Sequence, residues 1–107
     1  MNKTDKVLSM IGLCTKAGKI KSGEFAVEKC IKEGKAQLVV VAADASEATK
    51  DGYRDSCEYY KVPIRIYGTK EELGIACGKE FRTAIAITDT GMAETVIKKM
   101  EEQIWQK

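Results

Sequence analysis

Leu38-Val39-Val40-Val41-Ala42-Ala43 is an unbroken apolar run rich in β-branched valine. A strand with one wet face alternates polar and apolar residues, so a run without alternation has to be covered on both faces. The chain therefore needs a helical layer on each side of a sheet, and the other segments can be tested for whether they supply one.

They do. Thr4-Asp5 caps a first helix predicted to run to about Lys16, with Val7, Leu8, Met10, Ile11 and Cys14 as its inner stripe and Ala17-Gly18 as its stop. Lys19-Ile20-Lys21 is a very short extended piece, after which Ser22 or Gly23 opens a second helix that Gly34 closes. Ala26, Val27, Cys30 and Ile31 share its apolar face. Beyond the central run, Ser46 caps a third helix through about Tyr60, weakened by Gly52, with Tyr53, Cys57 and Tyr60 on one stripe. Val62–Tyr67 reads as a second strand that tolerates Pro63 near its start. Thr69-Lys70-Glu71-Glu72 is a capping box opening a short helix that Gly78 ends. Thr83–Thr88 is a third strand, and Asp89-Thr90 leads into a last helix striped by Met92, Ala93, Val96, Ile97, Met100 and Ile104, with Trp105 expected against the domain edge. This alternation predicts an α/β fold, a three-layer α/β/α sandwich around a sheet of three or four strands, formed by one domain spanning 1–107.

Several functions fall away on composition. Histidine is absent, which removes the commonest general base, metal ligand and partner of a Ser or Cys nucleophile. The four cysteines form no CxxC pair and sit inside apolar or helical patterns, as buried free thiols do. Neither GxGxxG nor GxxxxGK[ST] occurs. No enzyme, metal or cofactor is therefore expected. The first apolar run, Val7 to Cys14, is broken by Ser9 and Gly12 and preceded by Asp5 and Lys6; it suits neither a secretory signal nor a membrane span, so a cytoplasmic protein without a membrane partner is expected. The net charge of +2 is too mild to identify a partner, so the placement of charge has to do so.

Lys19 to Gly34 is where that placement is informative. Unpaired N–H groups and a positive dipole end at the Ser22-Gly23 turn suit a phosphate oxygen, although the same geometry starts any helix. Lys16, Lys19 and Lys21 precede the turn, and Lys29 and Lys32 follow it on the exposed face, opposed by Glu24, Glu28 and Glu33. Phe25 falls on that wet face too, where an aromatic offers a stacking platform for bases; packing beside the first helix is its alternative. Lys79 and Arg82 flank Phe81 in the loop before the third strand, again pairing cations with an aromatic. Asp44 ends the central strand, a favoured place for ligand contacts and equally for turns.

Gly-Glu-x-x-Val-x-Lys-x-Ile-x-x-Gly-Lys-Ala-x-Leu-Val-Val-Val-Ala from Gly23 to Ala42, Asp44-Ala45-Ser46, Cys57-Glu58-Tyr59-Tyr60, Val62-Pro63 and Gly68-Thr69-Lys70-Glu71-Glu72-Leu73-Gly74 together resemble the bacterial YlxQ-type ribosomal-protein-like family, part of the kink-turn RNA-binding ribosomal protein superfamily. The resemblance implies an α/β/α sandwich with a mixed sheet of about four strands. It implies RNA at Gly23 to Lys32, at Asp44-Ala45 and at about Lys79 to Thr83, where sheared G·A pairs and a flipped-out nucleotide are met. Gly23 and Lys29 match the superfamily pattern directly. Its base-reading Asn-Glu pair falls on Phe25-Ala26, which reduces hydrogen-bond readout there and leaves phosphate contacts, stacking and Glu24 or Glu28 to make up for it. The resulting expectation is a monomeric, non-catalytic binder of kink-turn or similarly bent RNA, associated with the ribosome or translation, through Lys19, Lys21, Ser22, Gly23, Glu24, Phe25, Lys29, Lys32, Asp44, Lys79 and Arg82. The alternative is a protein-interaction module of the translation machinery using apolar surface near Phe25 or Trp105.

Overall fold

A computed structural model describes residues 5–105, with side chains through residue 103. Thr4 and the packing of Ile104 and Trp105 lie outside that description. The order is α1 (Lys6–Lys16), β1 (Ile20–Ser22), α2 (Glu24–Lys32), β2 (Leu38–Val41), α3 (Glu47–Tyr60), β3 (Ile64–Ile66), α4 (Lys70–Ala76), β4 (Ala84–Ile87) and α5 (Thr90–Trp105). Helix starts follow the local chemistry. The Asp5 carboxylate accepts from Leu8 N–H at 2.9 Å and Ser46 Oγ from Thr49 N–H at 3.1 Å, while Thr69 and Glu72 form the reciprocal capping box.

The sheet runs β1-β4-β2-β3, with β1/β4 and β4/β2 antiparallel and β2/β3 parallel, so it is mixed and has four strands. β2 and β4 are buried at every residue. Leu38, Val40, Ile85 and Ile87 join one core with Val7, Leu8, Ile11, Leu73 and Val96 of α1, α4 and α5. Val39, Val41, Ala84 and Ala86 join the other with Val27, Ile31, Tyr53 and Cys57 of α2 and α3. Alternation of Cβ direction thus divides each central strand between two helical layers.

Four expectations need correcting. The strands are shorter than the apolar runs, because the ladder needs partners and not only hydrophobicity: Ala42 and Ala43 leave it to bond Thr83 and Gly68 carbonyls. Val62 and Pro63 precede β3, although the Pro63 carbonyl accepts from Val39 N–H at 2.9 Å. Ser22 closes β1, so Gly23 alone caps α2. Tyr60 is exposed, unlike Tyr53 and Cys57 of the same stripe, because α3 ends there; its ring packs edge-on against Tyr59 at 4.8 Å.

Two further features govern stability. Gly74, inside α4, faces the returning loop so closely that a Cβ would lie 2.5 Å from the Glu80 carbonyl oxygen and 2.8 Å from Phe81 Cα. Tyr67 O–H donates to Asp5 Oδ2 at 2.7 Å and lies against the Gln103 carboxamide, tying the α1 cap to the end of β3 and to α5. Burial, then the Asp5 bond, holds its hydroxyl in the protonated form well beyond the usual tyrosine range.

Two outcomes are expected. Gly74→Ala should lower stability by about 2 kcal/mol, since backbone cannot yield as a side-chain tip does, seen as a lower urea midpoint with an unchanged slope. The four buried thiols give a pH dependence. Burial raises all of them, Cys57 to about 11, whereas an unfolded thiol titrates near 9.0. Above that value the unfolded chain releases protons that the folded chain retains, so stability is fully present below pH 9 and is lost as pH rises towards 11. The melting temperature should hold between pH 7 and 8 and fall by about 4–8 °C per kcal/mol lost at pH 10.5; a flat profile there would contradict it.

Candidate nucleic-acid interface

The register puts Ser22 opposite Ile85, and Val41 opposite both Ala84 and Ile66, so β1, β2 and β3 end where β4 begins. The three segments singled out in the sequence emerge at that end and are bonded to one another. Gly23 N–H donates to the Ala84 carbonyl (3.2 Å) and Ala42 N–H to that of Thr83 (2.8 Å). Arg82 N–H donates to the Lys70 carbonyl (3.0 Å), and Lys70 N–H to Asp44 Oδ1 (2.9 Å). Arg82 Nε–H donates to Ser22 Oγ (3.0 Å) and Nη1–H to the Phe81 carbonyl (2.7 Å). The start of α2, the loop after β2 and the loop before β4 therefore form one cross-braced surface.

Those bonds sort the predicted residues. Asp44 anchors the first turn of α4 with its carboxylate, and Ser22 receives the Arg82 guanidinium; both brace the surface. Lys19 lies at the far end of β1, where its carbonyl accepts from Thr88 N–H at 2.9 Å, so the fold separates it from the α2 start. Lys79 is held at the α4 end of its loop, N–H to the Gly74 carbonyl at 2.7 Å, while Arg82 of the same loop reaches Ser22.

Gly23 adopts φ 95°, a conformation that favours glycine, and supplies no side-chain cap to α2. The helix then shows three faces. Val27, Cys30 and Ile31 are buried. Phe25, Lys29 and Lys32 face solvent, and Phe25 is 83% exposed, which removes the alternative of packing beside α1. Glu24 and Glu28 turn towards α3, where Ser56 Oγ–H donates to Glu28 Oε1 at 3.2 Å. Ala26 is half-buried instead of joining the core. With Cys30 it lines a groove of about 340 Å³ whose other sides are Phe25, Lys21, Lys29, Lys35 and Glu33.

Lys35, 3.5 Å from Glu33, was missed because it lies beyond the helix. Gly74, which lets the 79–82 loop approach, was missed because only the folded backbone shows the proximity. Burial pushes the Cys30 thiol up, and the neighbouring Lys21 only partly offsets it, so the groove floor is chemically quiet. Among the described residues, no three or more metal-ligating side chains gather and no helix is long and apolar enough to cross a membrane.

A family model described as the ribosomal protein L7Ae/L30e/S12e/Gadd45 family matches residues 5–97. The RNA-binding protein YlxQ of Bacillus subtilis (strain 168) is 39% identical over 92 residues, 86% of this chain and 92% of that protein. The large ribosomal subunit protein eL30 of Trypanosoma brucei brucei is 35% identical over 84% of this chain and 88% of its own. Among solved structures, a protein with unknown function from Bacillus halodurans C superposes with a TM-score of 0.87 at 32% identity, covering 91% of this chain and 98% of that one. The Giardia lamblia 15.5kD RNA binding protein gives 0.74 at 27% identity, covering 90% and 85%.

Proposed function

Because this chain belongs to the ribosomal protein L7Ae/L30e/S12e/Gadd45 family, we propose that it is a non-catalytic RNA-binding protein of the ribosome or translation machinery that recognises kink-turn or similarly bent RNA. It acts in the cytoplasm as a monomer, with 1–107 as one domain. The observation that carries the proposal is Phe25, 83% exposed beside Lys21 and Lys29 at the uncapped start of α2. A large apolar ring held in water among cations suits a partner that brings both a flat π-face and negative charge.

In this mechanism Lys21, Lys29, Lys32 and Arg82 bind phosphates and release counterions, and the first-turn N–H groups of α2 receive a further phosphate oxygen. Phe25 stacks on an unpaired base. Backbone contacts set register, while Phe25-Ala26 contribute no hydrogen-bond readout of base edges. The bracing by Asp44, Ser22 and Arg82 keeps the surface in shape before RNA arrives, so little ordering is needed on binding. YlxQ of Bacillus subtilis, an RNA-binding protein by name, supports this reading over an enzymatic one.

An electrophoretic titration against a kink-turn, its G·A-disrupted mutant and an unrelated duplex tests it. Lys29→Ala should weaken binding to each RNA and lower the salt slope by about 0.9. Phe25→Ala should reduce affinity for RNA with unpaired nucleotides about 5- to 150-fold, from the 1–3 kcal/mol of a base stack, and leave duplex binding almost unchanged. Failure to bind any kink-turn at low salt would overturn the proposal. Phe81, exposed in the loop before β4, favours one second reading, a protein-docking face; co-purification with ribosomes that survives nuclease would support it.

A further inference from the structure

The third face of α2 is unlike the lysine face. Between α2 and α3 runs a groove of about 320 Å³ lined by Glu24, Glu28, Thr49, Gly52, Tyr53 and Ser56, with no cation among its lining residues. Three observations there lack an explanation from folding alone. First, Glu24 and Glu28 form no ion pair among the described residues, although lysines are plentiful on the same helix. Second, Tyr53 is only 4% exposed, and its hydroxyl has no hydrogen-bond partner among the described residues, a costly omission for a buried donor. Third, Gly52 weakens the middle of α3, yet a Cβ there would meet nothing within 4 Å. Packing within the protein does not require glycine at that position.

The chemistry of the groove selects its occupant. Its carboxylates repel phosphate, so it suits a base and not the backbone of a nucleic acid. They demand hydrogen-bond donors, and the tyrosine hydroxyl demands an acceptor beside them. Guanine meets both demands on one edge. N1–H and N2–H donate together to a carboxylate, and O6 accepts from the phenol; adenine and cytosine offer one amino group, and uracil a single ring N–H.

From this complementarity we propose that the groove between α2 and α3 receives the Watson–Crick edge of an unpaired guanine of the bound RNA, read by Glu24, Glu28 and Tyr53. The inference rests on the RNA-binding reading given above. On binding, the groove opens over the buried Tyr53 hydroxyl and Glu28 exchanges its bond from Ser56 Oγ–H for the guanine donors, while the missing Cβ of Gly52 leaves room for the ring. Burial, then the charges of Glu24 and Glu28, keeps the phenol protonated and so able to donate. One helix thus divides the work, with phosphates and stacking on its lysine face and sequence on its glutamate face.

Fluorescence anisotropy with labelled short oligouridine strands, each carrying one central guanosine, adenosine or inosine, tests the assignment at low salt. The wild-type protein should bind the guanosine strand about tenfold more tightly than the adenosine strand, with inosine, which lacks the N2 amino group, in between. Tyr53→Phe and Gly52→Leu should bring the guanosine-to-adenosine ratio to unity while leaving the adenosine affinity in place, and should hold or raise the melting temperature, since one removes an unpartnered buried hydroxyl and the other a helix-weakening glycine. Lys29→Ala should weaken both strands and keep the ratio. Equal wild-type affinity for guanosine and adenosine strands, or a preference that survives in Tyr53→Phe, overturns the guanine site and leaves the RNA-binding function standing. Absence of binding to every strand and to every kink-turn overturns both.

Discussion

Pairing of β2 with β4 is the interaction on which the rest of the molecule depends. From Leu38 opposite Ile87 to Val41 opposite Ala84, all eight residues are buried and send alternate side chains into two separate cores. The two faces differ in size. β4 gives isoleucines to the α1, α4 and α5 side but alanines to the α2 and α3 side. β1 pairs with β4 as far as Ser22 opposite Ile85, and the next residue, Gly23, comes close enough at the start of α2 to bond the Ala84 carbonyl. The site is built outward from that approach.

Bonds between segments distant in sequence give the surface its rigidity. Asp44 to Lys70 and Ser22 to Arg82 each link loops that only the sheet brings together. Polar side chains that a sequence reading assigns to a ligand are here partly occupied with one another. Lys21 of β1 and Phe25, Lys29 and Lys32 of α2, by contrast, make no such side-chain bonds among the described residues. The surface therefore has a fixed frame and a free set of contacting groups, an arrangement suited to recognising a partner of defined shape.

Much of this was legible beforehand because the signals were local. The Leu38–Ala43 run declared a strand covered on both faces, and Asp5, Ser46 and Thr69 marked helix starts through bonds made within three residues. Phe25 on the wet face followed from helical periodicity alone. What stayed hidden was long-range. Lys19 and Lys21 are two residues apart in the chain, but β1 carries Lys19 away from the α2 start. Gly74 looked like an ordinary helix residue until the 79–82 loop came back against it, and Tyr53 looked like core until its hydroxyl was found unpartnered. Strand order, which creates the site, leaves no local trace in a three-residue strand such as β1.

The position of β1 carries one more consequence. Ile20 pairs with Ile87, near the opposite end of the chain, and Gly23 is fixed by Ala84. Contacts of such long sequence separation form late, because the loop they close must be ordered first. During synthesis α2, only nine residues long and marginal by itself, has no complete frame to pack on until β4 has followed. The nascent chain therefore lacks the finished surface at the start of α2 until the segment from Thr83 to Ile87 has emerged.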